Sequence, residues 1–247
     1  MNEILKALKN QKTTRRNEFL SKPISQEIID TIKNSILKTP NASNRQSYSI
    51  IELERENADK IGFPGSYVFL FCIDFYRLKQ LSKELKKDFD SQYLMQFSTA
   101  LIDISLLAQS TVLAAQSLGL DTLITNEVFH IKLEKIFSHI ELPRQYVFPM
   151  LAVCMGYSKE GTHTPHSRLN PNIIFHKNTY NPLSENELRE IIQNYDEKND
   201  NLCLIDNWRE KGFEHYLEWF FDKWSPTIGS RKQSELFVKQ LIESKMI

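Results

Sequence analysis

With 247 residues, the chain is long enough to bury one large core or two smaller ones. Hydrophobic residues make up 41% and charged residues 25%, the balance of an ordinary globular protein. Lys+Arg and Asp+Glu number 31 each, so no net field recruits nucleic acid or an anionic membrane. Seven glycines form neither a dinucleotide-binding fingerprint nor a P-loop, and the chain has no G-x-S-x-G, H-E-x-x-H or C-x-x-C. Cys72, Cys154 and Cys203 are odd in number and far apart, which reads as structural thiols in a reduced compartment. The start, Met1-Asn2-Glu3-Ile4, lacks the basic segment and apolar run of a signal peptide, so a cytoplasmic location is expected. His163-Thr164-Pro165-His166 has a metal-like spacing. Its internal proline and polar surroundings read instead as a solvated loop, and no metal is expected.

In chain order, Ile4, Leu5 and Leu8 predict a short amphipathic opening helix. Ser25 is a good N-cap, and Ile28, Ile29, Ile32 and Ile36 follow at helical spacing until Pro40 bars continuation. Two strands are expected at 48–53 and 67–73, joined through the turn-rich Gly62-Phe63-Pro64-Gly65. A charged helix at 76–87 precedes a long one from about Tyr93 to Leu118, stopped by Gly119. A short strand at 123–125, a helix at 129–140 and an apolar strand at 146–155 come next. Residues 158–172 read as a polar loop and 173–176 as a short strand. The remainder reads as helical, with aromatic spacing at Phe213, Tyr216, Phe220 and Trp224. This order lacks regular βαβ alternation and predicts an α+β fold, with helices packed on a mostly antiparallel central sheet. The long helix carries Leu101, Ile102, Ile104, Leu106, Leu107, Val112 and Leu113 on more than one face, as a helix buried on several sides requires. Asp103, Gln109, Ser110 and Gln116 within it argue against a membrane span.

The most informative stretch is Pro40-Asn41-Ala42-Ser43-Asn44-Arg45-Gln46-Ser47-Tyr48. It leads from a helix directly into an apolar strand, so a rigid frame aims its amides. Neutral amides suit the donor and acceptor edge of a flat heterocycle better than proton transfer. Arg15-Arg16, some 25 residues upstream, offers the charge that a phosphate needs. Together they point to a phosphorylated aromatic cofactor.

These stretches resemble the flavin-dependent nitroreductase family and its NADPH nitroreductase and flavin reductase subgroup. The Arg15–Phe19 and Pro40–Tyr48 segments are similar to the family's first two motifs, and Leu106–Leu120 to its long alanine-rich helix ending Gly-Leu. Pro149–Tyr157 is similar to the last core strand. Ser167-Arg168-Leu169 and Phe175–Leu183 are similar to downstream stretches of the subgroup. The resemblance covers about residues 4–197 and keeps the motif order.

The resemblance implies an intertwined homodimer with the long helix at the interface and non-covalent FMN in the groove between subunits. The whole chain, 1–247, then forms one nitroreductase-like domain with a divergent helical extension from about 199. Thr14, Arg15, Arg16 and Asn17 fall on the phosphate and pyrimidine positions, and two alignments leave open which arginine meets the flavin. Asn44 and Gln46 match Asn-x-Gln, with Asn41 and Ser43 beside them. Thr125 and Asn126 fall where the subgroup covers the flavin, and Arg168 falls on its second phosphate arginine. No side chain is assigned as catalytic. The implied function is FMN-dependent NAD(P)H oxidoreduction, passing two electrons to a nitroaromatic, a quinone or free flavin by a ping-pong scheme. A flavin storage or sensing protein with little turnover is the alternative, and a helical interaction protein without cofactor a more distant one. The tail aromatics Tyr216, Trp219, Phe220 and Trp224 are open to three readings: wrapping a partner, roofing the flavin, or simple helix packing.

Overall fold

The computed structural model describes residues 3–159, 166–197 and 202–247. Packing divides the chain into two compact units, Met1–His163 with Glu235–Ile247, and Thr164–Ser234.

The first unit opens with helix α1 (Glu3–Lys9) and a 3-10 turn, Arg16–Glu18. Helix α2 (Gln26–Ile36) starts at Ser25, whose hydroxyl accepts from the Ile28 N–H, and it buries Ile29, Ile32 and Ile36. After a second 3-10 turn, Ala42–Asn44, come strand β1 (Tyr48–Glu54), helix α3 (Arg55–Ile61) and strand β2 (Tyr67–Asp74). Helix α3 occupies a connection expected to be turn alone. It is short and polar, supported by Arg55–Asp59 and Glu56–Lys60 pairs one turn apart, and only Ala58 and Ile61 are buried. Gly62, at φ +90°, ends it in the left-handed region that favours glycine.

Helix α4 (Tyr76–Glu84), the long helix α5 (Leu94–Ser117) and strand β3 (Asp121–Thr125) follow as expected. The single helix expected at 129–140 is two, α6 (Glu127–His130) and α7 (Leu133–His139). The chain breaks at Ile131–Lys132, where the Lys132 ammonium turns back to within 3.4 Å of the Glu127 carboxylate. Strand β4 (Val147–Gly156) completes the sheet.

The four strands are antiparallel throughout, in the order β1-β2-β4-β3, which is the expected α+β architecture. Strand β2 is buried on both faces and shows why its sequence is almost uniformly apolar. Phe69, Phe71 and Ile73 pack in one cluster with α2 and α5, while Val68, Leu70 and Cys72 pack in a second with α3 and α7. The β2–β4 register slips between Phe71, opposite Leu151, and Cys72, opposite Pro149, so Met150 is the extra residue. A bulge is where a proline, lacking an N–H, is tolerated inside a central strand.

Helix α5 buries Phe97, Ala100, Ile104, Leu107, Ala108, Thr111 and Ala115 on one face, at the three-and-four spacing of a helix packed on a sheet. Each full-sized apolar side chain buried there contributes about 1.5–3 kcal/mol. Another face leaves Met95 77%, Ile102 61% and Leu106 45% exposed. The helix is long and apolar enough to cross a membrane by length and composition, yet its buried face belongs to the core of this unit.

In the second unit, residues 173–176 were expected to be a strand. Instead Pro171–Ile174 is a single helical turn, α8, because Asn170 caps it through the Asn172 N–H and Pro171 takes the first helical position. Helix α9 (Glu185–Asp196) begins with a capping box between Ser184 and Glu187. Helix α10 (Tyr216–Trp219) runs through a π-helical turn, Phe220–Trp224, into helix α11 (Ser225–Ile228). Trp208, Tyr216 and Trp219 form the buried core of this unit, so helix packing accounts for two of the tail aromatics. Helix α12 (Arg231–Glu243) then brings Leu241 and the following Met246 into the core of the first unit.

Candidate functional site

The residues singled out from the sequence form two groups in the first unit, one at each end of the sheet. The first group lies beside the Tyr67 and Met155 end. Thr14 is fully buried there, and its N–H donates to the Thr122 carbonyl at 2.9 Å. Its hydroxyl is buried without a partner. Arg15 caps the short turn that contains Arg16 and Asn17, its N–H donating to the Glu18 carboxylate, and all three side chains are exposed.

Arg16 reaches back into the unit. Its guanidinium donates to the Gly62 carbonyl and to the Glu127 carboxylate, each at 2.6 Å. Lys132, almost buried, lies on the same carboxylate and over the Phe63 ring. Two cations on one carboxylate leave the cluster net positive, with Arg15 adjacent in sequence. Thr125, at the end of β3, accepts from the Glu127 N–H through its hydroxyl at 3.2 Å, and exposed Asn126 precedes α6. Arg16, Thr125 and Asn126 are thus brought together around Glu127.

Gly65 shows how tightly this end is built. It has φ +95°, and a β-carbon there would stand 2.7 Å from the Met155 carbonyl oxygen.

The second group lies at the opposite end, where Tyr48 pairs with Ile73. The Asn41 side chain accepts from the Gln46 N–H at 3.2 Å, folding the loop on itself. Ser43, Asn44 and Gln46 have φ of +55°, +50° and +52°. Left-handed backbone is uncommon for residues other than glycine, and asparagine tolerates it best. Asn44 and Gln46 are exposed, and the Gln46 amide nitrogen donates to the Asn44 amide oxygen at 3.3 Å. Strained, exposed amides in this number are a recurrent mark of ligand-contacting loops.

Two residues outside the sequence motifs hold this loop. Asp103 of α5 accepts from the Ala42 N–H at 2.9 Å. Arg77 of α4 donates from one guanidinium nitrogen to the carbonyls of Gln46 and Tyr48. Tyr48 itself is buried, and burial first, then the nearby Asp103 charge, raises its phenol above the usual range.

Between the Tyr67 and Ile73 ends, a strand rising about 3.3 Å per residue covers roughly 20 Å. The phosphate-suited cations and the heterocycle-suited amides of one chain are therefore far apart.

Arg168 lies in the second unit. It is exposed, and its guanidinium donates to the carbonyls of His166 and Ser167, both at 2.9 Å. His163 of the metal-like spacing lies outside the described residues. Cys72 and Cys154 are free and buried, and burial pushes their thiols up, Cys154 to about 12, so neither is a ready nucleophile.

No family model matches the chain. An NADPH-dependent oxidoreductase from Staphylococcus haemolyticus (strain JCSC1435) is 29% identical over 199 residues, covering 73% of this chain and 76% of that protein. An FMN reductase (NADPH) from Bacillus subtilis (strain 168) is 28% identical over 224 residues, covering 85% of each. Among solved structures, the NfrA1 nitroreductase from B. subtilis superimposes with a TM-score of 0.78 at 22% identity, over 98% of each chain. The fold matches that nitroreductase along nearly its whole length, and the resemblance to the NADPH nitroreductase and flavin reductase subgroup holds.

Proposed function

We infer that this chain, with the nitroreductase fold and sequence relatives among NADPH-dependent oxidoreductases and FMN reductases, is an FMN-dependent NAD(P)H oxidoreductase. Its acceptors are small oxidants: a nitroaromatic, a quinone or free flavin. When bound, FMN supplies the redox chemistry, receiving a hydride from the nicotinamide and passing two electrons to the acceptor.

The residues present fit such a group. A phosphate requires fixed positive charge and donors, which the net-positive Arg16–Glu127–Lys132 cluster and Arg15 supply, while the Thr14 hydroxyl, fully buried, is out of its reach. A flavin edge requires neutral donors and acceptors, which the exposed Asn44 and Gln46 amides supply. Arg16, bonded to Gly62 and Glu127, sets the local field at this end, and Arg15 beside it in the chain adds a second exposed cation.

The observation that carries the reading further is the separation of the two groups along the sheet. One subunit offers cations at one end and amides at the other, so a site using both is shared between two copies of the chain. The exposed Met95, Ile102 and Leu106 of α5 give a homodimer its apolar contact surface. Free buried thiols accord with a reduced, cytoplasmic setting.

The test is optical. Purified protein should be yellow, and NADPH or NADH should bleach it anaerobically, with colour returning on addition of an acceptor. A colourless protein that binds no added FMN would refute the reading. FMN that stays oxidised with both nucleotides would favour storage or sensing instead.

A further inference from the structure

Asp103 and Arg77 belong to none of the motifs, yet both are bonded to the loop that carries Asn44 and Gln46. We propose that they are positioning residues for the cofactor: Asp103 from α5 and Arg77 from α4 clamp the Asn41–Tyr48 loop in its left-handed conformation. The proposal rests on reading that loop as part of the flavin site.

Asp103, the one charged residue of α5, is 2% exposed. One carboxylate oxygen accepts from the Ala42 N–H, and the other is buried with no partner. No cation pairs with it among the described residues, so it carries a desolvation cost that the packing of α5 does not require. An alanine or leucine would serve the helix core better. What uses an acceptor at this position is the loop, whose Ala42 N–H donates to it.

Arg77 works on the other side. Its own N–H donates to the Asp74 carboxylate at 3.1 Å, and Asp74, also buried, accepts from the Ser49 hydroxyl. That fixes the first turn of α4 against β1 and β2, and from there the guanidinium holds the Gln46 and Tyr48 carbonyls. Ser43, Asn44 and Gln46, the residues with positive φ, lie between the two anchor points. Conformations of this kind persist only where the surroundings over-determine them. Asp103 also follows Ile102, 61% exposed on the proposed subunit-contact face, so the amide loop is tied to the same helical turn as that face.

The experiment compares wild type with Asp103→Ala, Asp103→Asn and Arg77→Met. Its readouts are FMN affinity by fluorescence quenching, the visible circular dichroism of bound flavin, and amide exchange of residues 42–48 in cofactor-free protein. Losing one anchor should weaken FMN about tenfold and alter the flavin dichroism, the effect of one lost hydrogen bond to a binding loop. Asp103→Asn keeps an oxygen that accepts the Ala42 N–H and should recover to within about threefold of wild type. Wild-type affinity and dichroism in both Asp103→Ala and Arg77→Met would overturn the proposal, as would an Asn variant no better than Ala. Should Asp103→Ala fail to fold, the Asn variant and Arg77→Met, at an exposed position, decide. If the wild type itself binds no FMN, the oxidoreductase reading fails, and exchange then judges the clamp: faster in Arg77→Met supports it, unchanged overturns it.

Discussion

The two ends of the sheet solve opposite problems with opposite materials. The Tyr67 end gathers Arg16 and Lys132 around one carboxylate, Glu127, with Arg15 next in the chain, and fixes the backbone with close packing at Gly65. The Ile73 end uses neutral amides on a strained loop, held by a buried aspartate and an exposed arginine. Charge can act across several ångströms and tolerates an exposed, capped turn. Amide recognition is short-ranged and directional, so the loop that provides it has to be pinned. A ligand with a phosphate at one end and a heterocycle at the other needs both kinds of surface. Their separation of about 20 Å in one chain is the ground for the proposal that a second copy completes the site.

The comparison can be broken most severely at the proposed contact face. Ile102→Glu puts a charge on an exposed apolar position, so the fold should survive. A buried, unpaired charge at a subunit contact should abolish the dimer and lower FMN affinity by about a hundredfold or more. Sedimentation shows this as a shift to the 29.0 kDa single-chain mass. A variant that stays dimeric with full FMN affinity would remove this face from the interface.

The next contrast separates the two ends by ligand. Arg15→Ala should weaken FMN about tenfold to a hundredfold and leave riboflavin, which lacks the phosphate, nearly unaffected. Asn44→Ala should weaken both ligands by about tenfold, because both carry the isoalloxazine. Identical losses for the two ligands in both variants would erase the distinction.

A smaller effect is expected from Arg16→Ala. Half-exposed, it loses the Gly62 and Glu127 bonds, which should lower stability by about 1 kcal/mol or less. It should also leave Glu127 to Lys132 alone, making the local field less positive, read as a modest loss of FMN over riboflavin. Unchanged preference for FMN would mean that Arg16 does not shape the field at that end.

The smallest effect lies outside both ends and serves as a control. The bond from His215 to the Asp196 carboxylate raises the His215 pKa, with burial opposing it and the Asp196 charge adding to the rise. A folded pKa above the unfolded value of about 6.5 means the folded state binds that proton more tightly. The contribution is complete below the unfolded value and fades as pH rises through the folded one. Tryptophan fluorescence of the Trp208–Tyr216–Trp219 cluster should follow that fading on raising the pH, and His215→Gln should flatten it. FMN-over-riboflavin preference should not follow the same titration.

The elements that the sequence revealed are those with strong periodicity. The isoleucine ladder after Ser25, the apolar runs of β2 and β4 and the 24-residue α5 stand where their patterns place them. The misses are short elements set by tertiary contacts. Helix α3 has only two buried residues, and the α6–α7 break depends on Lys132 folding back to Glu127, a contact no local pattern announces. The candidate loop was visible as amides between a helix and a strand. Its anchors were not: Asp103 reads as a polar interruption of an apolar helix, and Arg77 as one more charge on α4. A lone carboxylate in a buried helical face is nonetheless a usable signal, because its desolvation has to be met by some partner.

The central claim, a site completed by two copies, is tested most directly by mixing two defective chains. Arg15→Ala and Asn44→Ala subunits, each weak for FMN alone, are unfolded together, refolded and titrated with FMN. In a shared site, the mixed dimer pairs the intact Arg15 of one subunit with the intact Asn44 of the other, so high-affinity binding should return to about a quarter of the sites by random pairing. A mixture that binds no better than the two variants apart would place both groups in a single-chain site and contradict the account.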